Sequence, residues 1–221
     1  MSTIFWRGVS SVQAAIRIAG ISLLAVAVAG GIAVMSSRHG VQSWSIGTAY
    51  SALCLVAYAL VLGPVNVIRG QPNPVHNAFR RDVGISAGIV SILHTILGLQ
   101  VHMGGDISRY FLRSAAAAST AETVFLAANW TGLLSVLVFA CVTAVSNDPS
   151  LRSLGLQKWK TIQRFVYPAA ALAVIHGFAY QALEKRSSPA ITLVAALALL
   201  VFALQIAGMR AKHRNAVLRV S

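Results

Sequence analysis

Six runs of apolar residues stand out along the chain, at about 18–35, 46–68, 83–103, 123–145, 162–183 and 189–209, each bounded by polar or charged residues. A helix needs about 20 apolar residues to cross a bilayer core, where every backbone amide must find its partner inside the segment. Each run is close to that length. The pattern predicts an all-α polytopic membrane protein, a bundle of six transmembrane helices. No stretch alternates apolar and polar residues as a half-buried strand would, and no segment repeats. The connections are too short to fold alone, so residues 1–221 read as one domain. The first run follows Arg7 and Arg17 and is long and glycine-rich, with no small-residue cleavage motif after it. It is expected to remain as a mature span instead of leaving as a signal peptide.

Composition strengthens this picture. The chain is 57% hydrophobic and 10% charged, with mean hydropathy +0.71. Soluble domains carry about 25% charged residues, so a water-soluble globule is excluded. Lys and Arg number 18 against 5 Asp and Glu, a formal net charge of +13. In a soluble protein that excess would suggest nucleic acid. Here it points to basic loops meeting anionic headgroups, with membrane lipid as the expected contact and no nucleic acid.

The basic residues also divide unevenly. Arg7, Arg17, Arg69, Arg80, Arg81, Arg152, Lys158, Lys160, Arg164, Arg210, Lys212, Arg214 and Arg219 fall on one side of a six-span layout. Arg38, Arg109, Arg113, Lys185 and Arg186 fall on the other. This bias predicts both termini in the cytoplasm, N-in and C-in, with a bacterial cytoplasmic (inner) membrane as the expected location. Cys54 and Cys141 lie inside apolar runs and are expected to be small core residues, neither a disulfide nor a metal pair. Pro64 and Pro168 are expected to bend or end helices. Asp82 and Glu122 sit at span edges, where a carboxylate suits a helix N-terminus.

Chemistry enters with the histidines. His39, His76 and His213 lie in loops or tails, whereas His94 and His176 sit inside apolar runs. An ionisable side chain in hydrocarbon turns to the bundle interior and needs a partner. His94 is 12 residues past Asp82 and His176 is 16 past Lys160, or about 18 and 24 Å along two parallel helices. The two imidazoles can therefore share one level. Small residues accompany each: Gly84, Ala87, Gly88, Ser91 and Gly98 beside His94, Ala169 and Ala173 beside His176, with Tyr180 one turn on. Such stripes admit a flat macrocycle or simply a neighbouring helix. Spacing alone leaves both open: haem ligation, or buried histidines bonded across helices. His102, two turns past His94, is a candidate partner for a haem propionate or an interfacial residue.

Two segments carry a resemblance. Arg80-Arg81-Asp82-Val83-Gly84 with His94 thirteen residues after Arg81 is the first. Leu154-Gly155-Leu156-Gln157-Lys158-Trp159-Lys160, then Ile162-Gln163-Arg164-Phe165-Val166-Tyr167-Pro168, with His176 beyond, is the second. Together they resemble the third and fifth helices of the ferric-reductase-like transmembrane domain, nearest the short bacterial YedZ- or MsrQ-type members. The resemblance implies a b-type haem between those helices with His94 and His176 as its axial, metal-ligating pair. It further implies single-electron transfer from a quinol or flavin donor to an acceptor on the outer face, such as a periplasmic reductase.

One departure bears on the number of haems. Many members carry a second histidine 13 residues before the later ligand; here that position is Gln163, and its counterpart on the third helix falls at Arg80 or Arg81. One haem is therefore expected, not two. No Gly-x-Gly-x-x-Gly loop follows the sixth run, so reducing equivalents are expected not as hydride taken directly from NAD(P)H but from a partner flavoprotein, a bound flavin or membrane quinol. Arg109 and Arg113 are candidates for forked contacts to haem propionates or for headgroup contacts. Arg80, Arg81, Trp159, Lys160 and Arg164 could hold a flavin phosphate or dock an acidic donor, or serve only topology. Gln163 is a candidate hydrogen-bond donor to a quinone carbonyl. The 114–120 run of small residues is a candidate interfacial helix or lid. The alternative function is a haem-free transporter or scaffold on the same fold.

Overall fold

The structure is a computed structural model that describes residues 11–71, 78–112, 119–185 and 188–217. Arg7, His76, Arg113, the 114–118 run, Arg186 and Arg219 lie outside the described residues. The helices in chain order are α1 (Ser11–Met35), α2 (Val41–Ile68), α3 (Ala78–Val101), α4 (Ile107–Phe111), α5 (Thr120–Ala144), α6 (Asp148–Arg164), α7 (Val166–Leu183) and α8 (Ser188–Val217). No strand occurs among the described residues. Helices α1, α2, α3, α5 and α8 and the α6–α7 unit are each long and apolar enough to cross a membrane. The chain is a six-span, multi-pass membrane protein.

Element ends follow local chemistry. Ser119 caps α5 by accepting from the Glu122 amide, and the Glu122 carboxylate accepts from the Ser119 amide at 2.9 Å. Glu122 thus takes its expected place at a helix N-terminus. Asn147 caps α6 the same way through Ser150 (2.8 Å). Helix α3 starts at Ala78, before its apolar run, because Phe79 through Asp82 are all tolerated in a helix and their charges pair within the protein. The stretch 154–160, which lies between the fourth and fifth apolar runs, is helical: α6 is an amphipathic helix kinked at Gly155, whose φ of +72° and ψ of 160° only glycine adopts readily. Pro168 stands in the first turn of α7, where its missing N–H costs nothing. Helix α2 runs on through Pro64.

Helix α2 lies at the centre, packed by α1, α3 and α8, while α5 pairs with α7 and touches α3. Val56, Leu60, Ala87, Phe139 and Ala169 from four helices form the main core cluster. Without a hydrophobic drive between helices in lipid, close approach through small residues supplies the contact. Gly47 shows how close: a Cβ there would fall on the backbone carbonyl of Ala29 in α1. Large apolar side chains on the outer faces, such as Val34, Leu199 and Phe202, are exposed, as a lipid-facing surface requires. Cys54 and Cys141 share that exposed surface. Their expected core positions are corrected: lipid is as apolar as a core, so an apolar run does not separate the two.

Candidate functional site

His94 on α3 and His176 on α7 come together between the helices. Their ring centroids are 6.2 Å apart and the planes make an angle of 71°. Each ring is anchored from behind. His94 Nδ1 lies 3.0 Å from the Ser45 carbonyl of α2, and His176 Nδ1 lies 2.7 Å from the Ala128 carbonyl of α5. A carbonyl only accepts, so in each ring Nδ1 carries the proton and Nε2 keeps the lone pair. A metal-ligating histidine uses this same tautomer, with the outer-sphere bond fixing ring orientation.

The separation fits one iron. A metal–imidazole bond is about 2 Å and the nitrogen lies roughly 1.1 Å from its ring centroid, so two imidazoles across one metal have centroids about 6.2 Å apart. Two rings sharing that axis can make any angle about it, so 71° is compatible. The cavity around them holds about 200 Å³ with the side chains as they stand, a narrow slot and not a broad chamber. Gly132 makes room for it: a Cβ there would stand 2.6 Å from His176 Nδ1. Gly98 and Ser91 also line the slot, whereas Gly88 on the same helix faces Thr143 of α5. The small-residue stripe on α3 therefore divides between site and helix packing. Among the described residues no group of three or more His, Cys, Asp or Glu gathers as a conventional metal cluster.

Beyond His176 the wall is aromatic. The Tyr180 ring lies 4.9 Å from that of His176 and stacks on His102 at 5.9 Å. Tyr180 donates to Asn129 Oδ1 (2.6 Å), and Asn129 Nδ2 donates to the Tyr110 carbonyl (3.1 Å). Tyr110 is buried and ties down the turn after α3: its hydroxyl accepts from the His102 amide and donates to the His102 carbonyl, both at 2.7 Å. Burial pushes the Tyr110 phenol above its ordinary pKa, keeping it neutral. His102 Nε2 is 3.6 Å from Glu184 Oε1. His102 thus lines the end of the slot, beside an acid and two aromatic rings.

A family model described as ferric reductase like transmembrane component matches residues 46–174, more than half of the chain. The chain belongs to this family. Membership points to membrane electron transfer, and the matched segment contains α3 with His94 and the first half of α7, ending two residues before His176. Neither the curated proteins nor the solved structures give a match.

The other candidates are placed elsewhere. Arg109 is exposed on α4 and pairs with Asp106 at 3.2 Å, away from the slot. Asp82 is not a helix-end carboxylate but fully buried, within 2.6 Å of Arg17 and 3.7 Å of Arg81. Arg81 also reaches Asp148 at 2.7 Å, and Arg80 Nε donates to the Ala59 carbonyl at 3.0 Å. Trp159 donates to the Val145 carbonyl, and Gln163 Nε2 to Ser146 Oγ at 3.0 Å. Three of the five residues singled out as a basic and aromatic cluster, Arg80, Arg81 and Trp159, are thereby engaged in bonds within the protein. Sequence reasoning missed Ser45, Ala128, Gly132 and Asn129. Only Asn129, a polar residue deep in an apolar run, carried a signal.

Proposed function

We propose that this protein is a membrane b-type cytochrome that passes single electrons through one haem held by His94 and His176. The observation that carries the reading is the 6.2 Å separation of two imidazoles whose Nδ1 atoms both face carbonyls. A haem bound there supplies a one-electron couple at iron. The chain does the rest. Ser45 and Ala128 would hold the two rings in the metal-binding tautomer, and a haem held by two histidines would suit electron relay. Gly132 admits the His176 ring, and the apolar wall keeps water from the slot. Arg80 and Gln163, bonded to the protein's own carbonyl and hydroxyl groups, leave no histidine pair for a second haem.

In this reading the α6 end, rich in Lys and Arg, faces the cytoplasm and the slot lies in the outer half of a bacterial inner membrane, an orientation that the basic bias supports. The donor in this reading is a quinol or a flavin, and the acceptor a reductase outside the membrane, as in YedZ-type members.

A dithionite-reduced minus oxidised spectrum of purified protein, with haem counted as pyridine haemochromogen, tests this. About one b-type haem per chain, lost in both His94→Ala and His176→Ala, is the expected result. A colourless protein made with ample haem overturns it in favour of a haem-free transporter or scaffold.

A further inference from the structure

A second and larger cavity opens beside the histidine slot. It is a groove of about 1030 Å³ over the face of α2 between α1 and α8. Ile21, Leu24 and Val28 form one bank and Leu193 the other; Leu24 and Val28 are themselves exposed to the surrounding lipid. Charge is confined to its α4-end mouth, where Arg38, Glu184 and Lys185 stand. The groove and the slot share a wall, since Ile46, Tyr50 and Glu184 line both.

Deeper in, Tyr50 Oη and Ser51 Oγ are buried with no hydrogen-bond partner among the described residues. Tyr50 is nine residues into α2, about 13 Å from its end, and His94 is seven residues from the end of α3, about 10 Å. The hydroxyls and the histidines therefore lie at similar depth. An unpaired hydroxyl in hydrocarbon is costly. A phospholipid tail cannot relieve that cost, because its ester carbonyls stay at the interface and only methylenes reach this depth. An uncharged head group bearing carbonyl oxygens, on a long apolar tail, can.

We propose that this groove binds an isoprenoid quinone, its carbonyl accepting from Tyr50 and Ser51 and its tail leaving between α1 and α8 into the lipid. The assignment deepens the quinol-donor reading above by giving the donor a place against the shared wall. An apolar groove open to lipid admits such a molecule from the membrane without passage through water.

The test uses the full chain purified in lipid nanodiscs, with haem counted in every sample. Bound isoprenoid quinone is extracted and quantified, and decylubiquinone is titrated calorimetrically. Wild type is expected to carry close to one quinone per chain. The near-isosteric Tyr50→Phe and Ser51→Ala are each expected to weaken decylubiquinone binding about fivefold to tenfold, the worth of one hydrogen bond. Val28→Trp, which fills the groove from its lipid side, is expected to abolish it, with haem unchanged in Ser51→Ala and Val28→Trp, whose residues line the groove and not the slot. Equal binding by all variants, or recovery of phospholipid alone from the wild-type groove, overturns the assignment. Quinone bound by a chain that carries no haem supports the groove and overturns the cytochrome reading instead, so the two failures are distinguishable.

Discussion

The two ends of the bundle treat their polar residues in opposite ways. On α3 and along the α6–α7 unit the same spacing recurs: Arg81 and His94 are 13 residues apart, and so are Gln163 and His176. At the α6 end the positions are filled from within. Asp82, with no exposed surface, accepts from Arg17 at 2.7 Å; Arg81 bridges from Asp82 to Asp148; Gln163 is bonded to Ser146. At the α4 end the two histidines are each anchored from behind by a backbone carbonyl, and both line a slot. Buried charge is tolerated only when paired, and pairing consumes the space between helices. A site for a ligand needs the reverse, polar atoms held firmly on one side and left available on the other. The difference teaches that one level of this fold is a structural clasp and the other a binding site.

Breaking the clasp gives the largest expected effect. Asp82→Ala leaves Arg17 and Arg81 facing each other without their carboxylate. Breaking a buried ion pair from one side costs about 3–5 kcal/mol, and the lower end applies because the Arg17 side chain keeps about a third of its surface exposed. The expected outcome is a loss of about 3 kcal/mol, read as lowered thermal stability in detergent, with the haem spectrum of the folded fraction unchanged. A lost haem spectrum in folded Asp82→Ala protein would contradict the separation of the two ends.

Breaking the site comes next. In Gly132→Ala the new methyl would stand 2.6 Å from His176 Nδ1, so the ring must give up its bond to Ala128 or move out of line. Losing one such hydrogen bond predicts about tenfold weaker haem retention, measured by haem transfer to apomyoglobin, against little change in unfolding. Gly84→Ala is the matched control, since a Cβ there meets nothing within 4 Å.

These contrasts also mark how far the sequence was legible. Hydropathy placed all six spans, because a bilayer imposes length on each. It placed the histidine pair at one level, because depth along a helix is simply residue count. It could not say what stands behind each ring. Ser45 is 49 residues from His94 and Ala128 is 48 from His176, and only the rotation and spacing of neighbouring helices bring those carbonyls near. Asp82 misled because its pattern, a carboxylate at a span edge, is shared by helix caps and by buried ion pairs. Glu122 was readable for the converse reason: the box it makes with Ser119 is closed within four residues of chain.

The smallest effect sharpens the boundary of the site at the α4 end. Asp106 caps α4 through Ser108, accepting from its hydroxyl at 2.6 Å and its amide at 3.0 Å, with Arg109 beside it. The Ser108 hydroxyl bond, helped by the backbone bonds and by the Arg109 charge, holds this carboxyl below its ordinary pKa. A lowered value in the folded chain means that the cap stabilises α4 above the unfolded pKa, about 3.9, and is lost as pH falls from there through the folded value. Amide-exchange protection at Ser108 is therefore expected to be level from neutral pH to about 5 and to drop below about 4. In Asp106→Ala it should be low throughout and indifferent to pH. The haem spectrum should not follow either change, because Asp106 and Arg109 stand outside the slot. A haem signal that tracked the Asp106 titration would instead bring Arg109 back as a partner for the propionates and extend the binding site out to α4.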